Sequence, residues 1–281
     1  MDTKNIFRNS ILMLALFTLT FVSCSDEDPI VEEEQATDMT ELRRASEVDI
    51  AGETISDIII DSYETQENDE LNRAANSQSY LPDCVTVTIV AEQGYREITL
   101  DFGTDGCVIN GHLLRGQIVF SYTRNIEAQN ILINYTLVDF YFDAKQVIGS
   151  RTILKELSNV NGNPQFTHTL DLTVIWPNGV QASREGVKVR EWVEGFGSGV
   201  FSDNVFEVTG NWTTTFVNGN EHVYEVLTPL RRQVICSYFV SGSVDVQRTN
   251  FGGIFDFGDG GCDNQATFTT NNGIVINIVL D

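Results

Sequence analysis

The chain has 281 residues, 42% of them hydrophobic and 20% charged, enough for a core in one large domain or two small ones. Its formal net charge of −23 argues against nucleic acid as a partner, because a phosphate-binding face needs clustered Lys and Arg. Phe, Tyr, Val, Ile and Thr are abundant, whereas Pro and Met are scarce. This composition favours strands over helices.

Residues 1–23 have the features of a secretory signal peptide. Lys4 and Arg8 form a short basic region, and an uncharged apolar run follows from Ile11 to Val22. A membrane-spanning helix needs about 20 apolar residues, so this run is too short to span and is typical of a signal-peptide core.

The end of this segment resembles the bacterial lipobox. Ser23 precedes Cys24 directly, although Phe21 stands where the pattern prefers Leu. The resemblance implies that the Cys24 thiol is acylated and that Cys24 becomes the mature N-terminus, so that lipid anchors the chain to a membrane. The alternative is an ordinary secretory signal followed by a chance cysteine.

Four polar residues follow Cys24 and are similar to the export signal of lipoproteins from Bacteroidetes-type bacteria: Ser25, Asp26, Glu27 and Asp28. The similarity implies an outer-membrane lipoprotein that faces the cell exterior. The alternative is a solvated acidic linker.

Residues 24–83 are predicted to be a lipidated acidic tether. Residues 25–83 contain 18 Asp and Glu against 3 Lys and Arg, and residues 25–41 have too few large apolar groups to offset the entropy of ordering. The spacing of Ile55, Ile58, Ile59 and Tyr63 predicts a helix over residues 45–66 with one apolar face. The acidic residues fall mostly on its other faces.

From Cys84 onward the hydrophobic period changes to two, and an internal repeat appears. The segment Asp101–Cys107 matches Asp256–Cys262, and each copy has a second cysteine upstream, Cys84 or Cys236. Each copy is predicted to be an antiparallel hairpin, with turns near residues 94 and 249.

In such hairpins the two cysteines of one copy lie opposite each other at the open end, where a disulfide fits. Four cysteines allow three pairings, and the repeat favours Cys84–Cys107 and Cys236–Cys262. An even number of cysteines besides Cys24 is typical of an oxidising compartment. A zinc site is the rival, although the sequence has no CxxC pair.

The middle of the chain alternates in the same way. One parity is apolar from Phe166 to Trp176 and again from Phe206 to Phe216, while Val187 and Val189 form a shorter pattern before Trp192. Asn-Gly turns separate these runs. Residues 84–281 are therefore predicted to be one all-β domain, an antiparallel sandwich or a strongly curved sheet.

These features together resemble a family of uncharacterised β-rich surface lipoproteins of Bacteroidetes-type bacteria. The resemblance covers most of residues 84–281 and is carried by Cys84, Asp101-Phe102-Gly103, Cys107, Arg115-Gly116-Gln117-Ile118, Arg190-Glu191-Trp192 and Gly260-Gly261-Cys262-Asp263-Asn264. It implies an anchored surface protein and brings no known activity.

Three sets of side chains merit consideration as sites. A hydrolase could use a histidine as general base. The candidates are His112, His168 and His222, and none is near a serine in a G-x-S-x-G motif. Asp256, Asp259 and Asp263 are either a calcium cluster or a solvated turn. Six aromatic residues form either a platform on which sugar rings stack or part of the core: Trp176, Trp192, Trp212, Tyr122, Tyr135 and Tyr141.

For each set a purely structural or solvent-exposed role is favoured over a functional one, so no catalytic residue, metal site or cofactor is predicted. The sequence favours a non-enzymatic lipoprotein with a binding or structural role, whose partners are the membrane and a glycan or protein ligand. The alternative is a surface glycan-degrading enzyme that uses carboxylates on neighbouring strands.

Overall fold

The computed structural model describes residues 29–71, 80–125 and 127–280, and side chains from Asp38 onward. Residues 38–281 form one compact unit and residues 1–37 another. The first unit is described only by the start of a helix, α1, which spans Pro29–Glu70. The fold below is that of the second unit.

Fifteen strands follow the helix. Their bounds are β1 Thr86–Glu92, β2 Tyr95–Asp101, β3 Cys107–Ile109, β4 His112–Thr123, β5 Asn130–Phe142, β6 Lys145–Ile148, β7 Ser150–Glu156, β8 Gln165–Ile175, β9 Gln181–Glu194, β10 Val205–Phe216, β11 Glu221–Gln233, β12 Ser241–Arg248, β13 Phe251–Asp259, β14 Gln265–Thr270 and β15 Val275–Val279.

All the strands belong to one antiparallel sheet, with the order β1-β2-β4-β5-β6-β8-β9-β10-β11-β12-β13-β14-β15. Strand β3 pairs with β4, and β7 bridges β5 and β8. Most neighbours in the sheet are neighbours in sequence, as hairpin connections require. The predicted all-β class is confirmed, and of the two predicted arrangements the single sheet corresponds to the second.

The sheet curves around α1. Side chains of the helix contact strands from β2, through Arg96, to β12, through Arg248. Every residue of α1 from Glu53 to Tyr63 is buried, so these strands cover the middle of the helix on all sides. A sheet that does this must wrap around the helix.

The middle of the helix is buried on every side. Each residue from Glu53 to Tyr63 is buried, which covers three turns and includes the acidic residues as well as the isoleucines. A helix enclosed in this way has no solvent face. The predicted helix at 45–66 is confirmed and extends further at both ends. The acids predicted on its other faces are buried as well between residues 53 and 63.

The strands place alternate residues in the core, as their period of two requires. In β8 and β10 the buried parity is the predicted apolar one. Strand β9 differs: Val187 is exposed, whereas Lys188 and Arg190 are buried beside Trp192. Its inward face is basic because it lies against the acidic residues of α1.

Both copies of the repeat form the predicted hairpins. Strands β1 and β2 pair with Thr86 opposite Asp101, and β12 and β13 pair with Val244 opposite Phe255. Disulfides join Cys84 to Cys107 and Cys236 to Cys262, with Cα atoms 5.9 and 5.5 Å apart, as predicted.

The repeat extends to the turn after each hairpin. The Asp101 carboxylate accepts a hydrogen bond from the Gly103 amide at 2.8 Å, and Asp256 accepts the same bond from Gly258 at 2.8 Å. Both glycines have positive φ, 69° and 90°. The shared Asp-Phe-Gly segment therefore encodes a turn that needs glycine at its third position.

The acidic segment predicted as a tether differs from that description. Residues 29–41, predicted to be disordered, belong to α1, and from Asp38 onward the segment folds with the sheet. The charge pattern was misread because nine acids of α1 have basic partners distant in sequence.

Cys24 and the residues Ser25, Asp26, Glu27 and Asp28 lie outside the described residues. Within the part of the chain that is described, no helix combines the length and the apolar character needed to cross a membrane.

Candidate functional site

Acidic residues of α1 and basic residues of the sheet form a continuous buried ionic seam. Nine of the 12 Lys and Arg in residues 84–281 pair with carboxylates of α1: Arg96, Arg124, Lys145, Lys155, Arg184, Lys188, Arg190, Arg232 and Arg248. The central acids, Asp49, Glu53 and Asp57, recur every four residues and therefore lie on one row of the helix. Most of the sheet's positive charge is thus directed inward.

The centre of the seam is fully desolvated. Asp57 has no exposed surface and accepts hydrogen bonds from Arg190 at 2.5 Å and from Arg232 at 2.8 Å. One turn earlier on the same row, Glu53 accepts a hydrogen bond from Lys188 at 3.0 Å. Buried charges of this kind are tolerated only when they are paired and hydrogen-bonded.

Protonation states in the seam follow from burial and pairing. Burial alone would raise the pKa of Glu53, but the Lys188 and Arg190 charges lower it to about 2. Burial lowers the pKa of His168 to about 3, assisted by the Arg190 charge. His168 is therefore neutral at physiological pH, within 3.5 Å of the Ser56 hydroxyl. The seam is a set of fixed ion pairs around a neutral histidine, an arrangement suited to holding the helix in place.

A cavity of about 840 Å³ lies at the C-terminal end of the helix. Its walls are the last turns of α1, the loop after β4, the end of β7 and the loop from Gly195 to Phe201 between β9 and β10. Ligand pockets in proteins typically have volumes of about 300–1,000 Å³. The cavity is therefore large enough for a small organic ligand or a segment of a larger one.

One wall of the cavity is aromatic. The Trp192 ring contacts Phe196 edge-on, with centroids 5.0 Å apart, and Phe201 at 6.2 Å. Phe196 is 58% exposed, whereas Trp192 and Phe201 are buried. Leu71, Leu157 and Val200, which also line the cavity, are partly exposed. An exposed apolar rim over a buried aromatic wall is typical of a binding site.

The charged and ring donors that line the cavity are engaged within the protein. Lys155 binds Glu64, Arg124 binds Glu67 at 3.1 Å, and the Tyr122 hydroxyl donates to Glu67 at 2.8 Å. The Trp192 indole N–H donates to the Glu194 carbonyl at 2.9 Å. These groups shape the wall and leave few strong donors for a ligand.

The Asp61 carboxyl and Asn204 Oδ1 differ from these engaged groups. The Asp61 carboxyl receives a hydrogen bond from the Tyr80 backbone amide, and among the described residues no Lys or Arg forms an ion pair with it. Burial raises its pKa to about 7, with contributions from the Asp57 and Glu64 charges. In Asn204, which is 2% exposed, Oδ1 has no hydrogen-bond partner in the described part of the chain.

The loop approaches Asn204 closely because residue 195 is glycine. A Cβ on Gly195 would lie 2.3 Å from Asn204 Oδ1, and the φ of Gly195 is +87°, which side chains rarely adopt. Only glycine at this position lets the loop approach the amide so closely. The stretch Gly195-Phe196-Gly197-Ser198-Gly199 was the sequence signal for this wall, but Phe196, Asp61 and Asn204 were missed.

The predicted aromatic set is mainly core. Trp176, Trp192, Trp212, Tyr122 and Tyr135 are all less than 10% exposed, as the favoured interpretation requires. They lie on several strands and form no common open platform. Trp192 and Tyr122 nevertheless line the cavity, so two members of the set belong to the candidate site.

The three histidines have different surroundings. His168 is in the ionic seam, the His222 ring is 2.9 Å from Glu41, and His112 is 3.0 Å from Asp143. Ser198 donates to Asp203 at 2.9 Å rather than to a histidine. These contacts do not assemble a serine nucleophile with its base.

The predicted acidic cluster forms turns. Asp256 and Asp263 each accept a hydrogen bond at 2.8 Å from a backbone amide two residues later. A different group, Asp38, Glu41 and His222, has its ligand atoms within 4.8 Å of one another. Both carboxylates already have partners in the protein, because Arg248 binds Asp38 at 2.7 Å and Asn218 donates to Glu41 at 2.7 Å.

Comparisons of the chain with protein-family models, with curated protein sequences and with solved structures found no match. The class that the described residues define is a single antiparallel sheet wrapped around a buried helix, with a cavity at one end of that helix. The resemblance to a family of surface lipoproteins stays a prediction.

Proposed function

We propose that the chain is a lipid-anchored lipoprotein of the outer membrane, facing the cell exterior, that binds a ligand in the cavity without catalysing a reaction. The single observation that carries the binding role is the cavity of about 840 Å³ with the 58% exposed Phe196 at its rim. The ligand is a glycan or a segment of a partner protein. The membrane partner is reached through acylated Cys24.

Two further observations support the location. The lipobox-like sequence at Cys24 and the acidic residues after it have the pattern of an exported lipoprotein. The disulfides Cys84–Cys107 and Cys236–Cys262 are compatible with an oxidising compartment, where such bonds persist.

The location is tested by intact-mass spectrometry and surface labelling. We expect the mature chain to begin at Cys24 with an added acyl mass, and Cys24→Ser to abolish anchoring. Replacing Asp26, Glu27 and Asp28 together by Ala should abolish labelling on intact cells while leaving the anchor. An unacylated product, or unchanged labelling, would contradict the anchor or the export signal respectively.

The binding role is tested with a variant that fills the cavity. Ala128 lines the cavity, so Ala128→Trp should occupy part of its volume. Ala91 is exposed on strand β1 and does not line the cavity, so Ala91→Trp is the matched control. Hits on a glycan array or in a pull-down with the wild-type chain should be lost in Ala128→Trp and kept in Ala91→Trp. Hits that survive Ala128→Trp would place binding elsewhere.

The second candidate is a surface glycan hydrolase, favoured by one observation. Asp61 is a buried carboxyl with a raised pKa of about 7 at a cavity, as a general acid requires. However, the neighbouring carboxylates are engaged, Glu64 by Lys155 and Glu67 by Arg124. Release of reducing sugar that Asp61→Asn abolishes would establish the enzyme, and its absence across a polysaccharide panel would favour the binding role.

A further inference from the structure

The charges in the cavity lining select the chemistry of a ligand. Lys155 is paired with Glu64, and Arg124 is paired with Glu67. Asp61 lacks a cationic partner among the described residues. A group that contacts the Asp61 carboxylate must therefore donate a hydrogen bond to it, and an anionic group placed there would be repelled.

Asp61 is linked to the aromatic wall through Tyr80. The Tyr80 amide donates to Asp61, and the Tyr80 ring packs on Phe201 with centroids 5.3 Å apart. A polar head bound to Asp61 would therefore lie next to the aromatic wall of Trp192, Phe196 and Phe201.

The charges around Asp61 leave it available to a cation. Asp57, one turn earlier on α1, is neutralised by Arg190 and Arg232, and Glu64, on the next turn, is neutralised by Lys155. Aromatic faces also stabilise cations. A carboxylate next to aromatic rings, with its neighbours already paired, is complementary to an ammonium group.

We infer that the cavity binds a ligand with a protonated amine, whose ammonium group pairs with Asp61 while its apolar part packs on Trp192, Phe196 and Phe201. This inference rests on the proposed binding function and narrows its ligand class. An amino sugar and a lysine side chain or N-terminus of a partner protein share this chemistry.

The test uses three probes with one skeleton and different charge: 2-phenylethylamine, 2-phenylethanol and phenylacetate. Binding to the full-length chain is measured by ligand-observed NMR at pH 6 and pH 8. We expect the amine to bind most tightly and phenylacetate to bind least. Because the amine needs ionised Asp61, whose pKa is about 7 in the free protein, its affinity should rise roughly ten-fold from pH 6 to pH 8.

Variants separate the polar and the apolar contributions. Asp61→Asn should abolish both the preference for the amine and its pH dependence, while leaving binding of 2-phenylethanol. Phe196→Ala should weaken the amine and the alcohol alike. Asp105→Asn, at an exposed position, is the matched control and should behave as the wild type.

The outcomes distinguish this inference from the proposed function. Equal binding of all three probes, displaced by Ala128→Trp, would overturn the amine preference and keep the cavity as a binding site. Amine binding that persists in Asp61→Asn would also overturn the inference. Absence of amine binding would reject it as well, whereas the array and pull-down results with Ala128→Trp decide the binding function.

Discussion

At the scale of single residues, buried carboxylates determine how α1 is held. Asp57 and Asp61 are one turn apart on the same helix, yet their surroundings differ. Asp57 is bound by two guanidinium groups, whereas the described surroundings of Asp61 are a backbone donor and neighbouring acids. The first carboxylate is charged and structural. The second is poised between its two protonation states near neutral pH.

Asp57→Asn is expected to destabilise the protein by about 3–5 kcal/mol, because it leaves the Arg190 and Arg232 guanidinium groups buried without their shared counter-charge. Urea unfolding followed by circular dichroism measures the change. Glu194→Gln is the control, since the side chain of Glu194 is 58% exposed and its pair with Arg231 is worth at most about 1 kcal/mol. Equal effects of the two substitutions would contradict the importance of burial.

Asp61→Asn should change how stability depends on pH. The folded-state pKa of about 7 lies above the ordinary value of 3.8, so burial of Asp61 is tolerated at low pH and becomes costly as pH rises through 7. The variant should therefore gain stability relative to the wild type from pH 5 to pH 8, by about 2–3 kcal/mol. Urea unfolding at both pH values tests this. A constant difference, as expected for the exposed control Asp105→Asn, would refute it.

At the scale of elements, strand β9 and helix α1 show where sequence patterns are informative. The apolar parity of β8 and β10 predicted their buried faces, and the Asp-Phe-Gly repeat predicted both hairpins and both disulfides. In β9 the rule that apolar side chains face inward was wrong, because Lys188 and Arg190 are compensated by acids of α1 more than 130 residues earlier. Hydrophobic periodicity carries no information on such long-range charge pairs.

The same limit explains the tether. A segment with 18 acids and 3 basic residues has the composition of a disordered chain when it is read alone. Its order depends on basic side chains contributed by strands β2 to β12. The cavity was missed for a related reason, since Asp61, Phe196 and Asn204 come from three separate parts of the chain.

Residues 84–281 expressed without α1 are expected not to fold cooperatively, because the inward basic groups of the sheet would lack their counter-charges and the apolar face would lack its cover. The heteronuclear NMR spectrum should have narrow dispersion. A peptide of residues 29–71 added in trans should restore dispersion if the ionic seam drives the assembly. A well-dispersed spectrum and a cooperative transition from residues 84–281 alone would support the tether interpretation instead.

The disulfide hairpins are expected to stabilise the sheet at two places, the β1–β2 edge and the β12–β13 pair. Their cysteines are 23 and 26 residues apart, and closing loops of this size contributes about 3 kcal/mol each in the chain-entropy model. The double substitution Cys84→Ser with Cys107→Ser should lower the free energy of unfolding by about this amount, measured in urea. Adding reductant to the wild type should lower it further, and an unchanged midpoint would contradict the contribution.

At the scale of the whole molecule, the helix divides the interior into two parts with different roles. Around Asp49 to Asp57 the acids and bases neutralise one another, so this part fixes the helix within the sheet. From Asp61 onward the helix also lines the cavity, whose rim is apolar and exposed. Stability and ligand binding are therefore assigned to successive turns of one element.

The central claim is that this cavity holds a ligand, and native mass spectrometry of the chain purified from its own membranes tests it most directly. The account predicts a non-covalent added mass on the wild type and on Ala91→Trp, released by mild collisional activation and absent from folded Ala128→Trp. A wild-type chain that carries no such mass, or an Ala128→Trp variant that retains it, would contradict the account.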